Sequence, residues 1–193
     1  MKHVRIAIDI DNVILDTPAT IINLHNKLNE NKLDYKQGDS LGWKFEPLIK
    51  TDEGLAELFK LFDHKDFYND PIVFDNAIEI INQLSMQNEI TIISKHMESR
   101  KPLTMEWIYR VFPTVELVFV DNFEDKGKIL NGFDIILDDR LDALESCNSL
   151  VKYCIVYGDY HWNRQYEGLR VNNWLEFKQF VDNLAKLDKQ QNI

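Results

Sequence analysis

Short apolar runs alternate with helical periods along most of this chain, and no other feature narrows its fold as far. VRIAIDI (4–10), EITIISK (89–95), VELVFV (115–120), DIILDD (134–139) and KYCIVY (152–157) are β-branched or aromatic runs that lead into polar residues, as strands do. Between them lie helical patterns. PATIINLHNKLNENK, with Thr17 as cap and Pro18 in the first turn, sets Ile21, Leu24, His25 and Leu28 on one face. NAIEIINQLSMQN follows Asp75, MEWIYRVF precedes Pro113, RLDALESC follows the fourth run, and NWLEFKQFVDNLAKL comes last. Strand–helix alternation of this kind predicts an α/β fold, a Rossmann-like parallel sheet with helices on both faces and right-handed crossovers. In such sheets ligands bind beyond the carboxyl ends of the strands.

One interval breaks the rhythm. From Thr17 to Asp75 there are two helical patterns, the second being TDEGLAELFKLF behind Thr51, and no convincing strand. About sixty residues is too much for a loop. The interval reads as a small helical cap, residues 17–75, inserted after the first strand of a core built from residues 1–16 and 76–193.

Composition bounds the function. With 193 residues the chain suits one domain of ordinary size, 45% apolar and 28% charged. No apolar run approaches the roughly 20 residues of a membrane helix, and the start of the chain lacks the pattern of a signal peptide, so the expected location is the cytoplasm, away from membranes. Two cysteines, Cys147 and Cys154, are too few for a disulfide framework and lack the partners of a zinc site. The net charge of -10 argues against nucleic acid polymers, whose binding rests on Lys and Arg neutralising phosphates.

Two acidic pairs stand at strand ends. Asp9 and Asp11, in HVRIAIDIDNVILDT, face one way on a strand of period two, and burying them costs several kcal/mol unless something pairs with them. A calcium loop does not account for the first pair, because Val13 and Ile14 stand where an oxygen ligand and a glycine belong. Asp138 and Asp139 end the fourth run, and the ends of parallel strands converge on one edge. Carboxylates gathered there repel one another unless a hard divalent cation sits among them, and an oxygen-only donor set points to Mg2+. Ser94 ends the second run, where its hydroxyl and the amides that follow can cradle a phosphate oxygen, and EDKGKIL supplies Lys126 and Lys128 before the fourth. Carboxylates, hydroxyl and ammonium in that order are what phosphoryl transfer through an aspartyl-phosphate needs.

The order Asp9-x-Asp11-x-Val13, Ser94, Lys128, Asp138-Asp139 resembles the four motifs of the haloacid dehalogenase (HAD) superfamily over the whole chain. More narrowly, DIDNVILD, FYNDPIVFDNAIEIINQL, MEWIYRVFP, IILDDR and GDYHWNRQYEGLRVNNWLEF are similar to the 5'(3')-deoxyribonucleotidase family. The resemblance implies a Mg2+-dependent phosphomonoesterase acting on nucleoside monophosphates, with Asp9 as nucleophile and Asp11 as general acid and base. It implies Ser94 and Lys128 as phosphate ligands, with Lys128 preferred to Lys126 because its separation from the acidic pair matches the family's. Mg2+ would be held by Asp9, the backbone carbonyl of Asp11, Asp139 directly and Asp138 behind it, with Arg140 orienting the pair. Trp43, Phe45 and Tyr68 of the cap are the candidates for stacking on a base.

The chain also departs from the family. Asn12 stands where glycine is usual, PIVFDNA replaces a Pro-Gly-Ala turn, and Lys95 follows Ser94, which adds a cation to the expected phosphate pocket. Two other readings stay open: a HAD phosphatase of another small metabolite such as a sugar phosphate, and a signalling module that carries phosphate on aspartate. A homodimer is equally open.

Overall fold

The structure, a computed structural model, describes residues 3–34, 45 and 49–190. Among these, six strands form one parallel sheet in the order β3-β2-β1-β4-β5-β6: β1 Arg5–Ile8, β2 Glu89–Lys95, β3 Glu116–Val120, β4 Ile135–Asp138, β5 Tyr153–Tyr157 and β6 Leu169–Val171. The expected α/β parallel sheet is what the chain forms. The five runs read from sequence are its first five strands; β6, three residues long, was not among them.

The strands bury both faces, which is why they read as nearly continuous apolar runs. Along β1, Ile6 and Ile8 join one hydrophobic cluster and Ala7 joins the other; in β4, Ile135 and Leu137 face one way and Ile136 the opposite way. The larger cluster is completed by Ile80 and Ile81 of α3 (Ala77–Ser85), Trp107 and Ile108 of α4 (Lys101–Val111), and Trp174, Phe177 and Val181 of α7 (Trp174–Gln190). The smaller holds Leu144 and Cys147 of α6 (Leu141–Cys147), which packs beside α5 (Asp125–Ile129). No helix among the described residues is long and apolar enough to cross a membrane.

Both expected helices of the 17–75 interval are present, α1 (Thr17–Leu28) and α2 (Asp52–Lys60), with a 3-10 turn at Leu61–Asp63. The cap of α1 is Asp16 rather than Thr17: Asp16 Oδ1 accepts from Ala19 N at 3.0 Å, and Thr17 becomes the first helical residue. Thr51 does cap α2, accepting from Gly54 N. Burial of α1 is broad at its start and stops short of its end: Thr17 to Ile22 and Leu24 are buried, whereas Leu28 is 49% exposed. The two ends of the interval lie side by side, Asp16 N donating to Ile72 O and Phe74 N to Ile14 O, with Leu15 bridging Val73. Ile21, Leu24, Leu58 and Phe67 belong to the same cluster as the sheet, so this segment shares its core with the strands.

Candidate active site

The carboxyl ends of β1 and β4 lie side by side, and Asp9 N donates to Leu137 O at 3.0 Å, carrying the ladder one residue past β1. That register brings Asp9 and Asp138 together. Between them sits Lys126, fully buried, whose Nζ donates to Asp9 Oδ1 and to Asp138 Oδ2, each at 2.6 Å. Arg140 N donates to the other oxygen of Asp138 at 2.9 Å. Asp139 Oδ2 accepts from Asn12 Nδ2 at 3.2 Å and from Trp162 Nε1 at 3.0 Å. Oδ1 of Asp139 has no partner among the described residues.

Asp11 reaches the site by another route than strand period. β1 ends at Ile8, and the chain then turns tightly, with Ile14 N and Leu15 N both donating to Ile10 O. Asn12 takes a left-handed φ of 60°, which asparagine tolerates better than most residues with a side chain. This turn aims Asp11 away from the Lys126 cluster. Its Oδ1 accepts from Thr17 Oγ1 at 2.7 Å and from an Arg100 terminal nitrogen at 3.2 Å.

The two carboxyls therefore differ electrostatically. Burial, only partly offset by Lys126 and reinforced by Asp138 and Asp11, pushes the Asp9 carboxyl up to about 7. Burial would also raise Asp11, but the Arg100 guanidinium foremost holds it below the usual carboxylate range. Burial and then the charges of Asp138 and Asp9 drive Asp139 well above that range. Lys126 would lose affinity for its proton on burial, yet Asp138 and Asp9 more than restore it.

Oxygens of Asp9, Asp138 and Asp139 lie within 4.8 Å of one another, all three residues buried. One ammonium stands against three carboxylates, and every donor is an oxygen. Such a set could hold a hard divalent cation, because among the described residues Lys126 is the one buried side-chain cation hydrogen-bonded to these carboxylates.

The remaining sequence candidates divide. Ser94, buried near the end of β2, has its hydroxyl 3.2 Å from Nδ1 of His96. Lys128 is displaced from the site: it is exposed and paired with Asp125, while Lys126 points inward. Residues two apart on a helix face nearly opposite ways, so only one of the two could reach Asp9. Both lysines lie on the short helix α5, and the structure turns Lys126 toward Asp9 and Asp138. Lys95 is also at the surface, its ammonium 4.9 Å from the centre of the Phe123 ring. The Arg140 guanidinium pairs with Asp142 and lies over Phe123; its backbone N–H donates to Asp138, and its charge is felt by Asp139 and Asp138 without a direct hydrogen bond.

Among the proposed base-stacking residues, Trp43 lies outside the described residues. Phe45 and Tyr68 are core instead of wall. Phe45 is fully buried with its ring edge-on to Phe59, and Tyr68 stacks on Trp107 at 5.3 Å. Three residues at the site were not read from the sequence at all: Arg100, His96 and Trp162. Arg100 and His96 carry no local mark, and Trp162 lies in the family-like stretch GDYHWNRQYEGLRVNNWLEF without being distinguished within it. Burial first, and Arg100 second, lowers the His96 imidazole to about 4, so it is neutral at pH 7.

The model of the family described as 5' nucleotidase, deoxy (pyrimidine), cytosolic type C protein matches residues 2–188. A curated protein of Staphylococcus epidermidis named "Putative 5'(3')-deoxyribonucleotidase" is 25% identical over 188 residues, 96% of this chain and 100% of that one. Among solved structures, a HAD-superfamily hydrolase of subfamily IA from Geobacter sulfurreducens matches with a TM-score of 0.62 at 13% identity, covering 94% of this chain and 96% of that one. YfnB from Bacillus subtilis, solved bound to magnesium, matches with a TM-score of 0.56 at 14% identity, covering 94% and 99%.

Proposed function

The chain belongs to the 5' nucleotidase, deoxy (pyrimidine), cytosolic type C family, and from that premise we propose that it releases phosphate from nucleoside monophosphates through an aspartyl-phosphate on Asp9. It is a phosphatase of the HAD superfamily; the intermediate, the metal and the substrate are the proposal. The observation that carries it is the separation of Asp9 and Asp11. Two residues apart in sequence, they sit against different partners, Asp9 against Lys126 and Asp11 against Thr17 and Arg100. One oxygen of Asp9 is held by an ammonium, which aligns the carboxylate as a nucleophile and restrains its rotation. Asp11, fixed independently, is free of that task and suits the transfer of a proton to the leaving oxygen and later from the attacking water.

Lys128 is the phosphate ligand that the resemblance implies; Lys126 is proposed instead as the ammonium of the site, offsetting the charge of Asp9 as an anionic substrate approaches. Ser94 is proposed to donate its hydroxyl to a phosphate oxygen. Mg2+ is the proposed metal, held by Asp9, the backbone carbonyl of Asp11 and Asp139 with Asp138 behind it, and when bound it supplies Lewis acidity and offsets anion repulsion. Asp139 is preferred as the direct ligand because both oxygens of Asp138 are engaged by Lys126 and Arg140 N, whereas Oδ1 of Asp139 is open among the described residues. Residues 17–75 are proposed as the cap that selects the leaving group, and the cytoplasm as the place of action.

The test is phosphate release from a panel of nucleoside 5'- and 3'-monophosphates and sugar phosphates, with and without Mg2+. Fastest turnover of deoxynucleoside monophosphates, dependent on Mg2+, is expected. Preference for a sugar phosphate would replace the substrate reading, and a long-lived phosphoprotein without turnover would replace the hydrolase reading.

A further inference from the structure

Arg100 is an expensive residue for the fold to keep. It is only 6% exposed, its Nε has no hydrogen-bond partner among the described residues, and its guanidinium carbon lies beside the stacked Phe62 and Phe67 rings, 4.9 and 4.7 Å from their centres. A buried ion pair stabilises a core no better than apolar side chains of similar volume, so stability alone does not account for a charge here. Its position is well defined. Arg100 sits at the N-terminal edge of α4, where Arg100 N donates to Met97 O and Thr104 N to Arg100 O. From there one terminal nitrogen reaches both Asp11 Oδ1 and the Tyr68 hydroxyl, each at 3.2 Å. Tyr68 is in turn held by Thr104 Oγ1 at 2.9 Å and His96 Nε2 at 3.3 Å, and His96 Nδ1 lies 3.2 Å from Ser94 Oγ.

The geometry points to Arg100 as the positioning residue for Asp11, an inference that rests on the acid and base role proposed above. Arg100 and Thr17 converge on a single oxygen of Asp11, Oδ1, and leave Oδ2 without a partner among the described residues. A carboxyl gripped by one oxygen presents the other in a fixed direction, which is what proton delivery to a departing alkoxide requires. The grip is built from the intervening segment as well as the core. Phe62, Phe67 and Tyr68 lie against the guanidinium, so their packing helps set where Arg100, and through it Asp11, is held. Through Tyr68 the same network reaches His96, whose Nδ1 lies 2.8 Å from Lys95 O and 3.2 Å from Ser94 Oγ.

The experiment compares single-turnover release of p-nitrophenolate from p-nitrophenyl phosphate with release of thymidine from thymidine 5'-monophosphate, enzyme in excess. p-Nitrophenolate leaves without needing a proton, whereas the nucleoside alkoxide needs one. Arg100→Met should lower the thymidine rate about 10-fold or more while the p-nitrophenolate rate falls far less, and Arg100→Lys should recover part of the difference. Equal losses on both substrates, or none on either, would overturn the inference by making Arg100 a packing residue. If Arg100→Met does not fold, the same ratio read on Arg100→Lys decides. Asp11→Asn serves as reference: if it too fails to distinguish the substrates, the acid and base reading is what has failed, and the inference falls with it.

Discussion

Replacing Lys126 with Met is the perturbation whose size the structure sets best. The methionine keeps the length and apolar stem of lysine and removes only the ammonium that holds Asp9 Oδ1 and Asp138 Oδ2 at 2.6 Å. Three buried carboxylates would then face one another with no buried cation among them. Breaking a buried pair by deleting one partner costs about 3–5 kcal/mol. For a chain of this length, that corresponds to a fall in Tm of roughly 6–20 °C. Asp9, already pushed up to about 7, can take up a proton and so draw the cost toward the lower figure. The assay is thermal unfolding with and without Mg2+, run beside Lys128→Met. Lys128 is exposed and pairs only with Asp125 among the described residues, so its variant should melt with the wild type. The cation should raise the Tm of Lys126→Met by more than that of wild type, because a ligand bound at 100 times its Kd adds about 2.7 kcal/mol and the ammonium no longer opposes it. A Lys126→Met variant that melts within about 2 °C of wild type would refute the reasoning.

Three other outcomes follow from the same geometry. Gly127→Ala would bring a Cβ to 2.1 Å from the backbone oxygen of Ser146, so α5 must move off α6, and denaturant unfolding should show a loss of about 1–3 kcal/mol. His96, lowered to about 4 against 6.5 for the unfolded chain, binds fewer protons when folded. The His96 contribution to stability is therefore full above pH 6.5 and is lost as pH falls toward 4, by on the order of 3 kcal/mol. Asp9 and Asp139, both raised in the fold, act in the opposite sense, so the check is the stability difference between wild type and His96→Gln, which should fall by that amount across a pH series of unfolding curves. Asp139→Asn should leave the fold without metal as stable as wild type or more so, while weakening Mg2+ binding by calorimetry about 10-fold or more; a large drop in Tm without metal would make the pair structural.

The sheet was legible because burial on both faces leaves β1, β2, β4 and β5 as unbroken apolar runs, and because chemistry at a strand end needs only register to be placed. Asp9, Asp138 and Asp139 lie together for that reason, and α2 was found by the cap of Thr51. Where the reading went astray, the cause was local geometry without a periodic signal. β6 is three residues of an edge strand, and α5 is five residues with a glycine inside, too short for either period to show. Without α5, sequence separation was the only guide between Lys126 and Lys128. Thr17 and Asp16 both suit a helix cap, and only the structure shows that Asp16 takes it while the Thr17 hydroxyl turns to Asp11. Arg100 and Trp162 reach Asp11 and Asp139 across 89 and 23 residues of sequence, which no local pattern encodes.

The central proposal is that Asp9 carries the phosphoryl group, and the direct measurement is mass spectrometry on protein quenched in acid after mixing with p-nitrophenyl phosphate. Asp11→Asn is the protein to use, since it keeps the nucleophile and lacks the base for the second step. The account predicts one phosphoryl group on the peptide that contains Asp9, absent from Asp9→Asn, which should also show no turnover. A phosphoryl group on any other residue, or an Asp9→Asn variant that still turns over, would contradict it.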